Sequence, residues 1–480
     1  MSATATHLSA GLVRINDILP DDVLLHIFHF DRLTFLNGPE DADRLRLPWR
    51  WHRLVHVCRR WRSVVFASTN FLNLRLVCGP RTRVELTGFW PPLPIIIRNL
   101  ADLPMPDHYD FDAAIVHRNR VYEIALRHLT GSHLQQLASA MQEQFPALIY
   151  LMFHFFDYYS RPAPALPSGF LGGSAPRLRF LSLHSIPFPA LPKLLLTATD
   201  LVHLDLWNIP HSGYISPEAI VTGLAVLANL NSLIVGFQSP LSRPGRESRR
   251  KPATRTVLSA LTRFEFHGVS VYLEDLVARI DAPLLDSISI TFFHQLIFDI
   301  PQLAKFMRRA TRFQALNEAH VNFDYSSVQV GYLPPTRTVT VDGKSGLRIS
   351  CKELDWQLSS VAQVFTPFLS SIYRVEHLYI YEPEYFSSQW QDDIESTQWQ
   401  ELFHPFIAVK NLYVSKTFAQ SIAPALQEIV VERATEVLPV LESLFLEERQ
   451  SSGPIQESIK QFVAERQLLG HPVVISHWNR

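Results

Sequence analysis

Two histidines four residues apart, His52 and His56, are followed closely by Cys58. Imidazole and thiolate groups at this helical spacing can bind a transition metal such as zinc, which needs three or four ligands of this kind. The other two cysteines, Cys78 and Cys351, are distant in the chain, and no further ligand cluster accompanies the pair. The pattern favours structural or solvated roles for these side chains. We therefore expect no metal site and no bound cofactor.

Two other groups have the composition of catalytic or phosphate-binding motifs. Residues 343–345 read Gly-Lys-Ser, as at the end of a phosphate-binding loop, but Thr338 occupies the upstream glycine position. No predicted strand-to-helix transition frames them, so a turn is the better interpretation. Residues 392–395 carry three carboxylates in a segment rich in Ser, Gln and Trp, with no opposing acid or base. The sequence therefore predicts a protein that is not an enzyme.

Two short amphipathic helices are predicted near the N-terminus. In the first, Asp17 is a suitable N-cap, Pro20 fits the opening turn, and the next two aspartates suit the positive end of the helix dipole. Its apolar stripe is formed by Val23, Leu24, Ile27 and Phe28. The second helix repeats this spacing with Leu54, Val57, Cys58, Trp61, Val64 and Val65.

The two helices contain Leu-Pro-Asp-Asp-Val-Leu-Leu-x-Ile-Phe from residue 19 and Val-Cys-Arg-Arg-Trp-Arg from residue 57. Together they resemble an F-box, the helical module by which substrate receptors dock onto the Skp-family adaptor of SCF-type cullin-RING ubiquitin ligases. The spacing departs from the family, since about twice the usual number of residues separates the two halves. A charged insertion is therefore expected near residues 31–48. The resemblance implies that the adaptor-docking surface is formed or supported by Leu19, Pro20, Val23, Leu24, Ile27, Phe28, Val57, Cys58 and Trp61.

A second pattern recurs through the rest of the chain, with the template apolar-x-x-apolar-x-apolar. Its ten copies begin at Leu148, Leu178, Leu201, Leu230, Leu261, Leu285, Leu316, Val375, Val409 and Leu441. The steps run from about 23 to 34 residues, with one double step after Leu316 in which residues 347–351 form a weaker strand. Helical patterns fall between the copies, at residues 217–228, 271–280, 300–310, 358–370, 419–432 and 455–469.

This template resembles leucine-rich repeats, although the inward Asn or Cys of that family is mostly absent. The predicted fold class is α/β, with a small N-terminal helical F-box-like module followed by an irregular leucine-rich-repeat-like solenoid, right-handed by the usual crossover rule. A non-repeating α/β domain is the alternative. The predicted division is a flexible tail (1–13), the helical module (14–70), linking strands and the array start (71–130), and the solenoid (131–480). Within the linking segment, strands are predicted at residues 71–77, 83–86 and 93–98.

Composition excludes several classes of function. The chain of 480 residues is 47% hydrophobic with a formal net charge of −1, which favours neither nucleic-acid binding nor disorder. A basic stretch at residues 239–256 is predicted to be a solvated loop, with a nuclear import signal or an acidic-partner contact as alternatives. Neither a signal peptide nor a membrane-spanning segment is predicted. The three scattered cysteines fit a reducing compartment. We therefore expect a cytoplasmic or nuclear protein without membrane contact.

Two runs of aromatic residues follow predicted strands, at residues 153–159 and 379–386. Strand ends at the rim of a solenoid often recruit partners, although core packing accounts for part of such runs. The leading hypothesis is a non-catalytic substrate receptor that binds the Skp-family adaptor and cullin complex through the F-box-like module and an unidentified substrate protein through the repeats. The alternative is a repeat scaffold without ligase association.

Overall fold

The computed structural model describes residues 18–33, 51–79, 92–99, 115–156, 162–239, 254–293, 300–310, 317–324, 327–331, 346–352, 374–382, 396–433, 437–447 and 454–478. The predicted N-terminal tail, nearly all of the predicted insertion, the strand at 83–86 and the helix at 358–370 lie outside these residues. The same applies to most of the basic stretch, to the Gly-Lys-Ser segment and to residues 392–395. No helix in the described part of the chain is long and apolar enough to cross a membrane.

Three helices form the N-terminal part: α1 (Asp21–Leu33), α2 (Trp51–Val57) and α3 (Arg59–Ala67). Asp21 and Asp22 occupy the first turn of α1, as predicted. The second predicted helix is instead two helices, because Cys58 adopts an extended conformation (φ −157°, ψ 172°). Its thiol accepts a hydrogen bond from the backbone N–H of Trp61, so Cys58 acts as the N-cap of α3.

The rest of the described chain is built from short strands and helices. The strands are β1 (Leu76–Cys78), β2 (Ile95–Arg98), β3 (Val121–Leu129), β4 (Tyr150–Phe155), β5 (Phe180–His184), β6 (His203–Ile209), β7 (Ser232–Phe237), β8 (Thr256–Val257), β9 (Arg263–Gly268), β10 (Ile280–Asp281), β11 (Ser287–Phe293), β12 (Glu318–Asp324), β13 (Ser327–Gly331), β14 (Gly346–Lys352), β15 (His377–Tyr381), β16 (Asn411–Val414), β17 (Ser443–Glu447) and β18 (Val474–Trp478). The helices are α4 (Gly131–Ala140), α5 (Leu191–Leu195), α6 (Pro217–Leu224), α7 (Ser270–Arg279), α8 (Pro301–Arg309), α9 (Ser396–Phe403), α10 (Lys416–Arg433) and α11 (Pro454–Leu468).

Sixteen of these strands form one sheet, while β8 and β10 pair separately. Every neighbouring pair is parallel except the two that involve β13. All ten copies of the sequence template lead into a strand, and their registers coincide: Leu151 pairs with Leu181, and Leu181 pairs with Leu204. Among the described residues, the alternate positions of the templates are buried in the core, except Leu446, which is half-buried. The structure therefore confirms the prediction of an α/β fold with a long, largely parallel sheet.

The double step between Leu316 and Val375 is not a simple continuation of the array. The sheet order there is β11-β14-β13-β12-β15, so β14 lies beside β11 while β12 lies beside β15. The antiparallel strand β13 joins them, and it was not predicted from the sequence. A regular stack with strands in chain order is therefore wrong for this segment. Strand pairing joins residues far apart in the sequence, so a local template does not specify the order.

The strand predicted at residues 71–77 begins later than expected. Residues 68–73 form a turn, with the N–H of Leu74 donating to Thr69 O at 2.9 Å and Asn73 in the left-handed region at φ 46°. Asparagine tolerates this conformation better than most residues, which ends the extended pattern there. The strands β1, β2 and β3 of the predicted linking segment belong to the same sheet as the later strands.

Neighbouring helices of the solenoid are joined by packing and by capping. Glu274 of α7 accepts hydrogen bonds from the first free N–H groups of α8, Gln302 N and Leu303 N, both at 2.8 Å. In α6, the Ser216 hydroxyl caps the helix and Pro217 follows at its first position. Buried apolar side chains form a single cluster that extends from Leu24 in α1 to Val473 before β18. The N-terminal helices therefore share a continuous core with the sheet.

Candidate partner-binding surfaces

The core of the N-terminal helices is formed by one face of α1. Leu24 and Phe28, four residues apart, are only 1% and 2% exposed. The ring of Phe28 lies 4.7 Å from that of Trp61 in α3, measured between ring centroids. Val55 and Val65 are fully buried in the same apolar cluster. This face therefore holds α1 against α3.

A different face of α1 is apolar and exposed. Val23, Ile27 and Phe30 follow one another at spacings of four and three residues, which places them on one side of the helix. They are 37%, 46% and 67% exposed. Ile18, just before the helix, and Val57, at the end of α2, are also exposed. A surface of this kind is available for a partner protein.

A charged contact fixes the start of α1. The Arg60 guanidinium in α3 donates two hydrogen bonds to Oδ1 of Asp21, at 2.9 and 2.7 Å, and one to the carbonyl oxygen of Leu19 at 2.5 Å. Both N–H groups converge on the same carboxylate oxygen, a charge-assisted contact that ties α3 to the start of α1. It therefore positions the Leu19–Pro20 segment, with Pro20 exposed and Leu19 half-buried against the core.

The nine predicted docking residues take three different positions. Leu24 and Phe28 are core residues, so any role they have in docking is to support the exposed stripe. Trp61 is partly buried, and Cys58 is the cap of α3. The remaining residues are exposed or half-buried at the surface: Leu19, Pro20, Val23, Ile27 and Val57. Their role in binding an adaptor stays a prediction.

Ile18 and Phe30 were not among the predicted docking residues. The width of the apolar stripe on α1 could have indicated a second, exposed face. The sequence pattern places residues 23, 24, 27 and 28 in one stripe. Successive helical residues are rotated by about 100°, so such a set is wide enough to be divided between two faces. The core takes residues 24 and 28, and the solvent-facing stripe continues from residues 23 and 27 to Phe30.

The N-terminal helices are attached to the sheet by two aromatic side chains. The indole N–H of Trp51 in α2 donates to the carbonyl oxygen of Arg75 at 2.8 Å. The guanidinium carbon of Arg75 in turn lies 3.7 Å from the centroid of the Tyr122 ring in β3, a cation–π contact. These contacts and the shared core hold the helices against the first strands.

One face of the sheet carries a row of histidines on adjacent strands. His128 of β3, His154 of β4 and His184 of β5 have ring centroids 5.9 and 5.2 Å apart. His184 Nε2 lies 2.8 Å from Oδ2 of Asp205 in β6, and the Ser182 hydroxyl donates to the same oxygen. Burial lowers the pKa of His154 to about 4, and the neighbouring His184, His128 and Arg127 add to the effect. His154 is therefore neutral at pH 7.

A second aromatic row lies on the outward positions of the C-terminal strands. His320, Tyr379, Tyr413 and Phe445 stack with centroid distances of 4.3, 4.1 and 4.4 Å. The indole of Trp478 in β18 packs edge-on against Tyr379 and Tyr413 and donates to the carbonyl oxygen of Val414. Rows like this are typical of surfaces that contact proteins, and here they also stabilise the sheet.

The two aromatic runs singled out in the sequence are divided between core and surface. Phe153, Phe155 and Tyr381 are buried, whereas Phe156 is exposed and His154 and Tyr379 are half-buried on the outward face. Residues 158–159 and 385–386 lie outside the described residues.

The predicted absence of a metal site concerns His52 and His56, which lie in α2. Burial lowers the pKa of His52, and His56 adds to the shift. Within the described ranges, no group of three or more His, Cys, Asp or Glu side chains is arranged to hold a metal ion.

Fold and surfaces together define an α/β protein with a long, largely parallel sheet of the leucine-rich-repeat-like solenoid kind. No family model matches the sequence, and no curated protein matches it either. A similar solved structure is the leucine-rich repeat-containing protein LegL7 from Legionella pneumophila, at 13% identity and a TM-score of 0.28, with 81% of this chain and 96% of that chain covered. The strand order and register of this chain define its fold.

Proposed function

We propose that this chain is a non-catalytic substrate receptor of an SCF-type cullin-RING ubiquitin ligase. In this proposal the N-terminal helices dock onto the Skp-family adaptor, and the repeats hold a substrate protein. The proposal is supported chiefly by the exposed apolar stripe of Val23, Ile27 and Phe30, beside the Leu19–Pro20 segment, in the part of the chain whose sequence resembles an F-box.

The physical drive for docking would be burial of this stripe. Removing apolar surface from water stabilises a complex by about 25 cal/mol per Å², before the costs of association are subtracted. The stripe adjoins the face of α1 that is buried in the core, so no large rearrangement is needed to present it. The hydrogen bonds of Arg60 to Asp21 and to the carbonyl oxygen of Leu19 hold the adjoining Leu19–Pro20 segment in place.

A scaffold without ligase association is the second candidate. It is favoured by the sheet itself, because the histidine row and the stacked aromatic row supply polar and aromatic contact groups without any need for the helices. In this case the exposed stripe on α1 would contact another protein or another part of an assembly.

Co-purification with the adaptor separates the two candidates. The tagged wild-type chain should recover the Skp-family adaptor, and the double variant Leu19→Ala, Pro20→Ala should lose it, as should Val23→Asp with Ile27→Asp. The matched control is Leu196→Asp, at an exposed apolar residue far along the array. Circular dichroism checks that each variant is folded.

Two results would contradict the ligase assignment. One is adaptor binding that survives both N-terminal double variants. The other is a wild-type chain that recovers other partner proteins but never the adaptor, which is the result expected of a scaffold.

A further inference from the structure

A cleft of about 660 Å³ opens along the edge of the sheet at which strands β4, β5, β6, β7 and β9 begin. Its volume is within the range of ligand-binding clefts. Its walls include the residues that flank the first leucine of successive sequence templates, among them Arg177 and Arg179 around Leu178, and Asn229 and Asn231 around Leu230. The leucines point into the core, and the flanking residues line the cleft.

The backbone along this edge is already hydrogen-bonded. The carbonyl oxygen of Ile149 accepts the N–H groups of Arg179 and Phe180, and that of Val202 accepts those of Asn231 and Ser232. A ligand in the cleft would therefore be recognised by side chains rather than by backbone groups.

Several polar side chains of the cleft have no hydrogen-bond or ion-pair partner in the part of the chain that the structure describes. Among the residues that the structure describes, Arg177, Asp200 and Asn229 make no side-chain hydrogen bond or ion pair, and Arg179 makes neither with a carboxylate. Asn231 uses its amide N–H to donate to the carbonyl oxygen of Ala260 at 3.3 Å. Two guanidinium groups, a carboxylate and two amides thus line one concave surface.

The positive charge of this edge has an effect on a neighbouring residue. The pKa of His203, at the start of β6, is lowered by burial and further by the positive charges of Arg263 and Arg179. The chain as a whole has a formal net charge of −1. Attraction of an anionic partner to this edge would therefore be local and not a consequence of bulk charge.

We propose that this cleft binds an extended acidic segment of a partner protein. Its carboxylates would accept hydrogen bonds from Arg177 and Arg179, the geometry for which arginine is best suited. Its backbone N–H groups would donate to Asp200 and to the amide oxygens, which explains a carboxylate in a site for an anionic peptide. The five strand ends span about 19 Å at ~4.8 Å per strand, so about six extended residues fit at ~3.3 Å each.

This inference deepens the proposed function and rests on it for its biological meaning, since it assigns a surface and a chemistry to the partner that the repeats hold. It does not depend on the adaptor. Variants in the cleft should leave adaptor recovery unchanged, and variants of Val23 and Ile27 should leave peptide affinity unchanged. Failure of one proposal is thus distinguishable from failure of the other.

The test is fluorescence anisotropy of the full chain with a labelled octapeptide of alternating Glu and Gly. The wild type should bind this peptide more tightly than the same peptide with Gln in place of Glu, and raising the salt concentration should weaken binding. Replacing both arginines, Arg177→Ala with Arg179→Ala, should weaken binding about tenfold. The charge-matched control is Lys193→Ala with Lys305→Ala, two exposed lysines of the outer helices α5 and α8. The reversal Arg177→Glu with Arg179→Glu should create affinity for a Lys-Gly octapeptide.

Several outcomes would overturn the proposal. Equal binding of the Gln peptide, or an equal loss in the lysine control, would mean that the two arginines do not recognise carboxylates. Displacement of the peptide by inorganic phosphate at equal concentration would indicate a small-anion site. Binding of vesicles containing phosphatidylserine without binding of the peptide would indicate a membrane surface.

Discussion

Acidification should destabilise this protein through His154, the central member of the histidine row. Burial beside His184, His128 and Arg127 lowers the pKa of His154 from 6.5 to about 4 in the folded chain. In the unfolded chain the imidazole regains its ordinary pKa and takes up a proton first. The unfolded state therefore binds more protons between about pH 6.5 and pH 4, and the free energy of unfolding falls as the pH falls through this window. Above pH 6.5 the contribution of His154 is constant.

The size of the effect follows from the gap between the two pKa values. The difference between 6.5 and about 4 corresponds to roughly 3 kcal/mol at 1.36 kcal/mol per pH unit. His154 is only half-buried, and solvent screens the positive charges around it, so a loss of about 1 to 2 kcal/mol is the realistic expectation. The charges that face it are those of His128, His184 and Arg127, with Asp205 on the far side of His184.

The assay is urea unfolding of the wild type and of His154→Gln at several pH values between 7.5 and 4.5. Glutamine keeps a polar side chain of similar size but cannot take up a proton. As the pH falls over this range, the free energy of unfolding of the wild type should decrease by about 1 to 2 kcal/mol more than that of the variant. A matched control is His211→Gln, at an exposed histidine outside the row, which should follow the wild type. If His154→Gln shows the same acid sensitivity as the wild type, the buried histidine is not its source.

Three further substitutions test the packing that supports the surfaces. Gly236→Ala should lower the free energy of unfolding by about 1 to 3 kcal/mol and alter tryptophan fluorescence, because a Cβ there would lie 3.0 Å from Cε3 of Trp207. The control is Gly131→Ala, where the nearest atom is 4.0 Å away and stability should be unchanged. Tyr272→Phe should cost about 1 to 2 kcal/mol in urea unfolding, since its buried hydroxyl donates to the carbonyl oxygen of Ile215 at 2.9 Å; an unchanged midpoint would show that this bond contributes nothing net. Arg466→Leu should lower the thermal midpoint, because the buried guanidinium donates to three carbonyl oxygens near residues 438–441, and a variant as stable as the wild type would refute this role.

Much of the fold could be predicted because its signal is local. Each template places apolar residues at alternate positions, and a strand that buries one face requires this pattern whatever its neighbours are. The strands after Leu178, Leu201 and Leu230 were predicted for this reason. The same local reasoning failed at β13, whose pairing with β12 and β14 depends on strands that lie elsewhere in the chain.

The candidate surfaces were less predictable. The arginines around Leu178 are ordinary polar residues in the sequence, and only the stacking of successive repeats brings them to the same cleft as Asp200 and the asparagines of the next repeat. Likewise, the histidines at positions 128, 154 and 184 are more than twenty residues apart and meet because β3, β4 and β5 are neighbours. No sequence spacing encodes the histidine row, and the cleft residues share a template position whose role only the stacked structure shows.

By itself, the sequence determined the types and approximate positions of most described elements, because amphipathic periodicity and helix capping act over a few residues. It also placed Val23, Leu24, Ile27 and Phe28 in one apolar stripe on the first helix. The tertiary structure alone decided which of these residues face outward, where the strand order reverses, and which polar side chains share a cleft. Each of these depends on contacts between segments that are distant in the chain, and the free energy of such contacts is set by packing rather than by local sequence.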